Sequence, residues 1–162
     1  MKIISWNVNG LRSPGMSIIK NKAFNEESNM YKLINEEDPD ILCLCETKCQ
    51  KKNENMFDNI LPFKYKIWNS STEKLGYSGV AVFSKIPFKN LGNIKDCNFG
   101  RHLLLEFEDF ILLNIYVPNS NDKNEYRKEW NDCIYNYLKD KKDKKIIYTG
   151  DLNVVCDNDD IC

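Results

Sequence analysis

Short apolar runs separated by polar turns dominate this chain, and most are apolar at odd and even positions alike. Lys2–Val8, Asp40–Cys45, Gly79–Ser84, His102–Phe107, Phe110–Val117 and Lys145–Thr149 read as strands. In the fifth run, Phe110 and Leu112 share one face, while Ile111, Leu113, Ile115 and Val117 share the other. Side chains alternate across a strand, so a run apolar on both faces is covered on both faces. Helical periodicity appears between Asp122 and Asp140. There Tyr126, Trp130, Cys133, Ile134, Tyr137 and Leu138 form one stripe, which packs a helix against a sheet. A weaker stripe, Phe24, Tyr31 and Ile34, predicts a second helix ending before Asp38-Pro39, because the residue ahead of a proline avoids helical geometry. Strands alternating with helices make this an α/β chain.

Composition narrows the picture. At 162 residues the chain suits one domain with a sizeable core, and no repeat or Gly/Ser/Pro-rich linker divides it. No run approaches the roughly 18 to 20 unbroken apolar residues of a membrane helix, and the first residues lack the signature of a signal peptide. We therefore expect no membrane partner and a reducing intracellular compartment, cytoplasm or nucleus. Seven cysteines, an odd number at irregular spacing, predict no disulfide framework. Net charge is −1, so any nucleic-acid contact must come from a local patch or a metal ion rather than a global field.

Polar residues gather where strands end. Asn7 and Asn9 close the first strand two residues apart, ahead of Gly10 and Arg12; a polar turn capped by glycine is the plain alternative. The second strand runs into Glu46-Thr47-Lys48, with Leu42, Leu44 and Glu46 predicted on one face and Ile41, Cys43 and Cys45 on the other. A carboxylate there is either a metal ligand or the partner of Lys48 in a rim salt bridge. The last strand repeats the design: Gly150, then Asp151 and Asn153. Asp151 suits a general base for water and Asn153 a phosphate hydrogen bond, with an Asp/Asn turn as the alternative. Cys43, Cys45 and Cys49 lack paired C-x2-C zinc spacing and read as buried thiols. The run Lys139–Lys145 reads as a solvated loop, its acids diluting any DNA patch.

In order along the chain, SWNVNGLR (5–12), PDILCLCETK (39–48), GYSGVAVFSK (76–85), GRHLLLEF (100–107), NIYVPNS (114–120), YRKEW (126–130) and TGDLNV (149–154) resemble the exonuclease III/apurinic endonuclease branch of the endonuclease/exonuclease/phosphatase superfamily. The resemblance implies a four-layer α/β/β/α sandwich and Mg2+-assisted (alternatively Mn2+-assisted) hydrolysis of DNA 5′ to an abasic site, with 3′-end trimming. It implies Glu46 as metal ligand with Asn9 beside the metal. By the same resemblance, Asp151 corresponds to the residue that orients or deprotonates the attacking water and Asn153 to the one that positions that water and the phosphate. Tyr116 corresponds to a tyrosine facing the phosphate, with Asn119 near it, and Asn7 to the asparagine that tethers the catalytic network. Arg12, Lys48, Gly76, Tyr77 and Arg101 correspond to contacts with backbone phosphates.

Members of that branch close with a Ser-Asp-His motif that these residues do not contain; the single histidine, His102, lies within a strand and reads as structural. We therefore expect residues 1–162 to form a single, C-terminally incomplete domain lacking most of the second sheet. One sheet face would then be bare, inviting self-association or a complementing chain. A catalytically inactive DNA- or metal-binding remnant is the alternative to a nuclease.

Overall fold

The computed structural model describes residues 1–11, 28–72, 74–94, 100–119 and 124–155. Arg12, Phe24 and the start of the weaker helix lie outside them. The elements follow as β1 (Ile3–Asn7), α1 (Asn29–Glu37), β2 (Ile41–Cys45), a 3-10 turn (Lys51–Asn53), α2 (Glu54–Ile60), β3 (Tyr65–Asn69), β4 (Val80–Ser84), β5 (Lys89–Asn90), β6 (His102–Glu106), β7 (Ile111–Tyr116), α3 (Asn124–Lys139) and β8 (Ile146–Asp151). Two four-stranded sheets result, one ordered β1-β2-β4-β3 and the other β5-β6-β7-β8. β1 and β2 are parallel, as are β7 and β8, each pair joined through a helix. The remaining pairings are antiparallel.

Three apolar clusters fill the layers. Leu42, Leu44, Ala81 and Phe83 of the first sheet pack with Met30, Ile34 and Phe57 of α1 and α2. Between the sheets lie Ile41, Cys43, Cys45, Val80 and Val82 against Leu103, Leu105, Leu112 and Tyr116. On the outer face of the second sheet, Leu113, Ile115 and Val117 meet Trp130 and Ile134 of α3. The two faces read from the Phe110–Val117 run are thus the inter-sheet core and the helix-facing core, and the four-layer sandwich is present.

One expectation is corrected. The second sheet is not mostly lacking: β5, β6 and β7 follow β4 in sequence, and α3 returns the chain to add β8. The predicted bare face is therefore covered, which removes its argument for self-association or a complementing chain. Cys43, Cys45 and Cys49 are free and buried as expected, and Cys133 is disulfide-bonded.

Local chemistry sets the helix ends. The Ser28 hydroxyl accepts from Tyr31 N at 3.0 Å, an N-cap worth about 1 kcal/mol. Asp38 closes α1 in the left-handed region, its N–H on Ile34 O, just ahead of Pro39. No helix among the described residues is long and apolar enough to cross a membrane.

Candidate active site

The tips of β1, β2, β7 and β8 meet at one end of the sandwich, and the backbone there is unusual. Asn9, Glu46, Lys48, Ser78 and Asn153 all have positive φ without being glycine. Each such residue costs on the order of 1 kcal/mol or more, and such residues collect at functional sites. Hydrogen bonds hold the strained turns: Gly10 N to Glu46 O at 2.7 Å, Leu11 N to Thr47 O at 3.0 Å and Lys48 N to Ser78 O at 2.8 Å. Gly150, φ +124°, is required by contact, since a Cβ there would run into the backbone of Ile115 on neighbouring β7.

A polar chain links the tips. Asn7 Nδ2 donates to Asp151 Oδ2 at 2.6 Å, joining residues from different sheets. Asn7 Oδ1 accepts from Asn9 N at 2.9 Å. Asn9 Oδ1 accepts from Lys48 Nζ at 2.6 Å, and the same ammonium pairs with Glu46 Oε1 at 3.0 Å. Of the two readings of the Glu46 segment, the salt bridge with Lys48 is present, with the carboxylate carried on a turn of positive φ. Asp151 Oδ1 also accepts from Asn153 N at 2.9 Å, so both its oxygens are fixed while lone pairs remain for a water proton.

Tyr116 ends β7 among these groups. Its phenol is pushed up to about 12, first by burial and then by the negative charge of Glu46, with Asp151 adding to the rise and Arg101 opposing it. Two carboxylates and a guanidinium thus act on one hydroxyl, and that hydroxyl stays protonated, a hydrogen-bond donor, at neutral pH. Glu46 also acts on the Cys45 thiol, which burial pushes up to about 12. The alternation of β2 had placed Glu46 on the Leu42–Leu44 face, away from Cys45. The left-handed turn at Glu46, φ +54°, breaks that alternation, and its charge acts on both Cys45 and Tyr116.

The remaining candidates divide. Asn153 Nδ2 donates to Val117 O at 2.6 Å, leaving its second N–H for a ligand. Tyr77 is 46% exposed and Gly76 turns with positive φ in the same loop. Asn119 is exposed just past Pro118. Lys48 is committed to Glu46 and Asn9. Arg101 is only 4% exposed, so the expected phosphate contact is not available to it directly. His102 is wholly buried, its Nε2 accepting from Ile94 N at 3.0 Å, as a structural histidine should be.

Two residues of the site's support were not singled out from sequence. Asn114 is fully buried between the sheets; its Nδ2 donates to Leu44 O at 3.2 Å and Ala81 O at 3.3 Å, tying β7 to β2 and β4 directly beneath the tips. Its signal was a lone carboxamide in an otherwise apolar run. Arg127 of α3 donates to Pro118 O, to Asn153 O at 3.2 Å and to Leu152 O at 3.0 Å, pinning the exits of β7 and β8 together.

For a cation, the donors offered are hard oxygens: the Glu46 and Asp151 carboxylates and the Asn9 and Asn7 carboxamides. No group of three or more His, Cys, Asp or Glu forms a ready-made cage among the described residues.

Comparison with known proteins gives the family of the chain. The Endonuclease/Exonuclease/phosphatase family matches residues 4–162. The chain is 37% identical to an exodeoxyribonuclease of Bacillus subtilis (strain 168), over 95% of the chain and 59% of that protein. It is 37% identical to the DNA repair nuclease APEX1 of Danio rerio, over 95% of the chain and 49% of that protein. Among solved structures, an AP endonuclease from Archaeoglobus fulgidus superposes with TM-score 0.74 at 24% identity, over 100% of this chain and 61% of that one. NExo, a Neisseria 3′ phosphatase bound to a product DNA hairpin, gives 0.73 at 20% identity, over 99% and 60%. The chain thus spans less than two thirds of these relatives, and it belongs to the Endonuclease/Exonuclease/phosphatase family.

Proposed function

We propose that these residues carry a divalent-cation-dependent site for hydrolysing DNA phosphodiesters, at abasic sites or 3′ ends. The observation behind this is the joining of Asn7, Asn9, Glu46, Lys48 and Asp151 in one polar chain beside a protonated Tyr116. Glu46, with Asn9 next to it, would hold Mg2+ or Mn2+; when bound, the cation supplies neutralisation of charge on the phosphate and the leaving oxygen. Asp151, held by Asn7 and by Asn153 N, accepts the proton of the attacking water. The Tyr116 hydroxyl and the spare Asn153 N–H donate to non-bridging oxygens, where charge grows during attack. The curated relatives being a deoxyribonuclease and a DNA repair nuclease supports DNA as the substrate.

A second reading, binding without cleavage, is favoured by one observation: the sole histidine of residues 1–162 is fully buried and engaged with Ile94, leaving none for proton transfer. Assays of binding and incision on an abasic duplex with Mg2+ separate the two. We expect binding with weak or no incision by residues 1–162, and incision by the protein extended to the relatives' length. Failure of both forms to bind would reject the DNA reading; incision by 1–162 at the longer form's rate would reject the binding-only reading.

A further inference from the structure

Arg101 carries a buried positive charge, yet among the described residues no carboxylate forms an ion pair with it. Its guanidinium instead lies between two rings, 5.3 Å from the centroid of Tyr77 and 4.8 Å from that of Tyr116. Nη2 donates to the Tyr77 hydroxyl at 3.1 Å and Nη1 to Tyr116 O at 3.2 Å, while Tyr116 N donates to Arg101 O at 2.7 Å. A buried cation normally has an anion; here π faces and a carbonyl take that place.

The surrounding backbone shows what the arrangement holds. Gly100 is pressed under the loop that carries Tyr77: a Cβ there would lie 2.6 Å from Ser71 N. Ser78 Oγ and Gly79 N both donate to Gly100 O, at 3.0 and 2.9 Å. Asn69 Nδ2 donates to His102 O at 2.8 Å. Described residues of the loop between β3 and β4 are therefore seated on residues 100–102, and Arg101 joins its exposed tyrosine to the β7 tip.

We propose that Arg101 is a positioning residue, a planar clamp that fixes the Tyr77 and Tyr116 rings as one phosphate-facing surface without touching the phosphate. It rests on the DNA reading only for what that surface receives. Lysine could keep the charge but cannot lie flat against two rings or make both hydrogen bonds, so charge and clamp are separable.

The test uses residues 1–162 with ring-13C tyrosine, as wild type, Arg101→Lys and Arg101→Met. Each is titrated with a duplex bearing a tetrahydrofuran abasic analogue in Mg2+. We expect Tyr77 and Tyr116 ring signals to move together in both variants, while Tyr65 and Tyr135, elsewhere on the fold, stay put. Duplex affinity should fall about tenfold in both, as loss of a desolvated cation–π contact allows. Unchanged Tyr77 and Tyr116 signals in either variant, or wild-type affinity in Arg101→Lys, would overturn the clamp. Should Arg101→Met fail to fold, Arg101→Lys carries the same comparison. If wild type binds no duplex, the DNA reading fails, and the ring signals alone decide whether Arg101 is a clamp.

Discussion

The two ends of this sandwich are built from the same strands but treat charge in opposite ways. At the end where β1 and β2 begin, Lys85 pairs with Asp38 and Lys2 with Glu37, and the carboxylates of both pairs are well exposed. Ion pairs of that kind add little to stability. At the other end the Glu46 carboxylate is more covered and the polar groups are chained: Lys48 to Glu46 and Asn9, Asn9 to Asn7, Asn7 to Asp151. Among the described non-glycine residues with positive φ, only Asp38 belongs to the first end, where it closes a helix; Asn9, Glu46, Lys48, Ser78 and Asn153 belong to the second. Strain and half-buried polarity that do nothing for a core are thus concentrated where chemistry would use them.

Substitutions at the two ends should diverge accordingly. Gly150→Ala has the largest expected effect, because φ +124° and the Ile115 backbone both exclude a Cβ. Denaturant unfolding should show a loss on the order of 3 kcal/mol or more. Gly92→Ala, where a Cβ meets nothing within 4 Å, should show only about 1 kcal/mol. Next comes Tyr116→Phe. Where incision of abasic duplex is observed, removing this donor should slow it on the order of a hundredfold while stability at pH 7 barely changes.

Glu46→Gln should weaken Mn2+ binding, read by electron paramagnetic resonance, by about tenfold or more, without unfolding the protein. The pH response follows from Tyr116. Its folded value, about 12, exceeds the ordinary 10.0, so folding favours the phenol. That stabilisation is whole below pH about 10 and disappears as pH climbs towards about 12. Unfolding midpoints across that window should fall less steeply in Tyr116→Phe. The smallest effect belongs to the far end. Lys85→Met should leave the neutral-pH midpoint within error of wild type. The Lys85 ammonium beside Asp38 holds that carboxyl below its usual value of 3.8, so the little the pair contributes is present above that pH and lost as pH falls beneath it.

Much of this was legible in sequence because the core strands carry their pattern locally. β2, β4, β6 and β7 are continuous apolar runs, and each was read to within a residue or so at its ends. β3 was missed: Tyr65-Lys66-Ile67-Trp68-Asn69 is a half-buried edge strand with a lysine at its second position, a pattern too short and polar to stand out. The membership of the second sheet was also misjudged, since pairing between distant runs is not written in either run. At the site, Asn7, Glu46, Asp151 and Asn153 stand out as polar residues where strands end, while Tyr116 follows from the family resemblance alone. The roles of Arg101, Arg127 and Asn114 are not legible in this way, because each acts through partners many residues away. Burying Asn114 without its two carbonyls would cost about 1 to 3 kcal/mol, a constraint visible only once the sheets are stacked.

Paramagnetic broadening of the 15N and side-chain amide signals of residues 1–162 by substoichiometric Mn2+ tests the central claim most directly. The account predicts loss of signal from Asn7, Asn9, Glu46, Tyr116, Asp151 and Asn153 together, with Glu37, Asp38 and Asp40 unaffected. Broadening centred on the Glu37–Asp40 end, or confined to Glu46 while Tyr116 and Asp151 stay sharp, would contradict it.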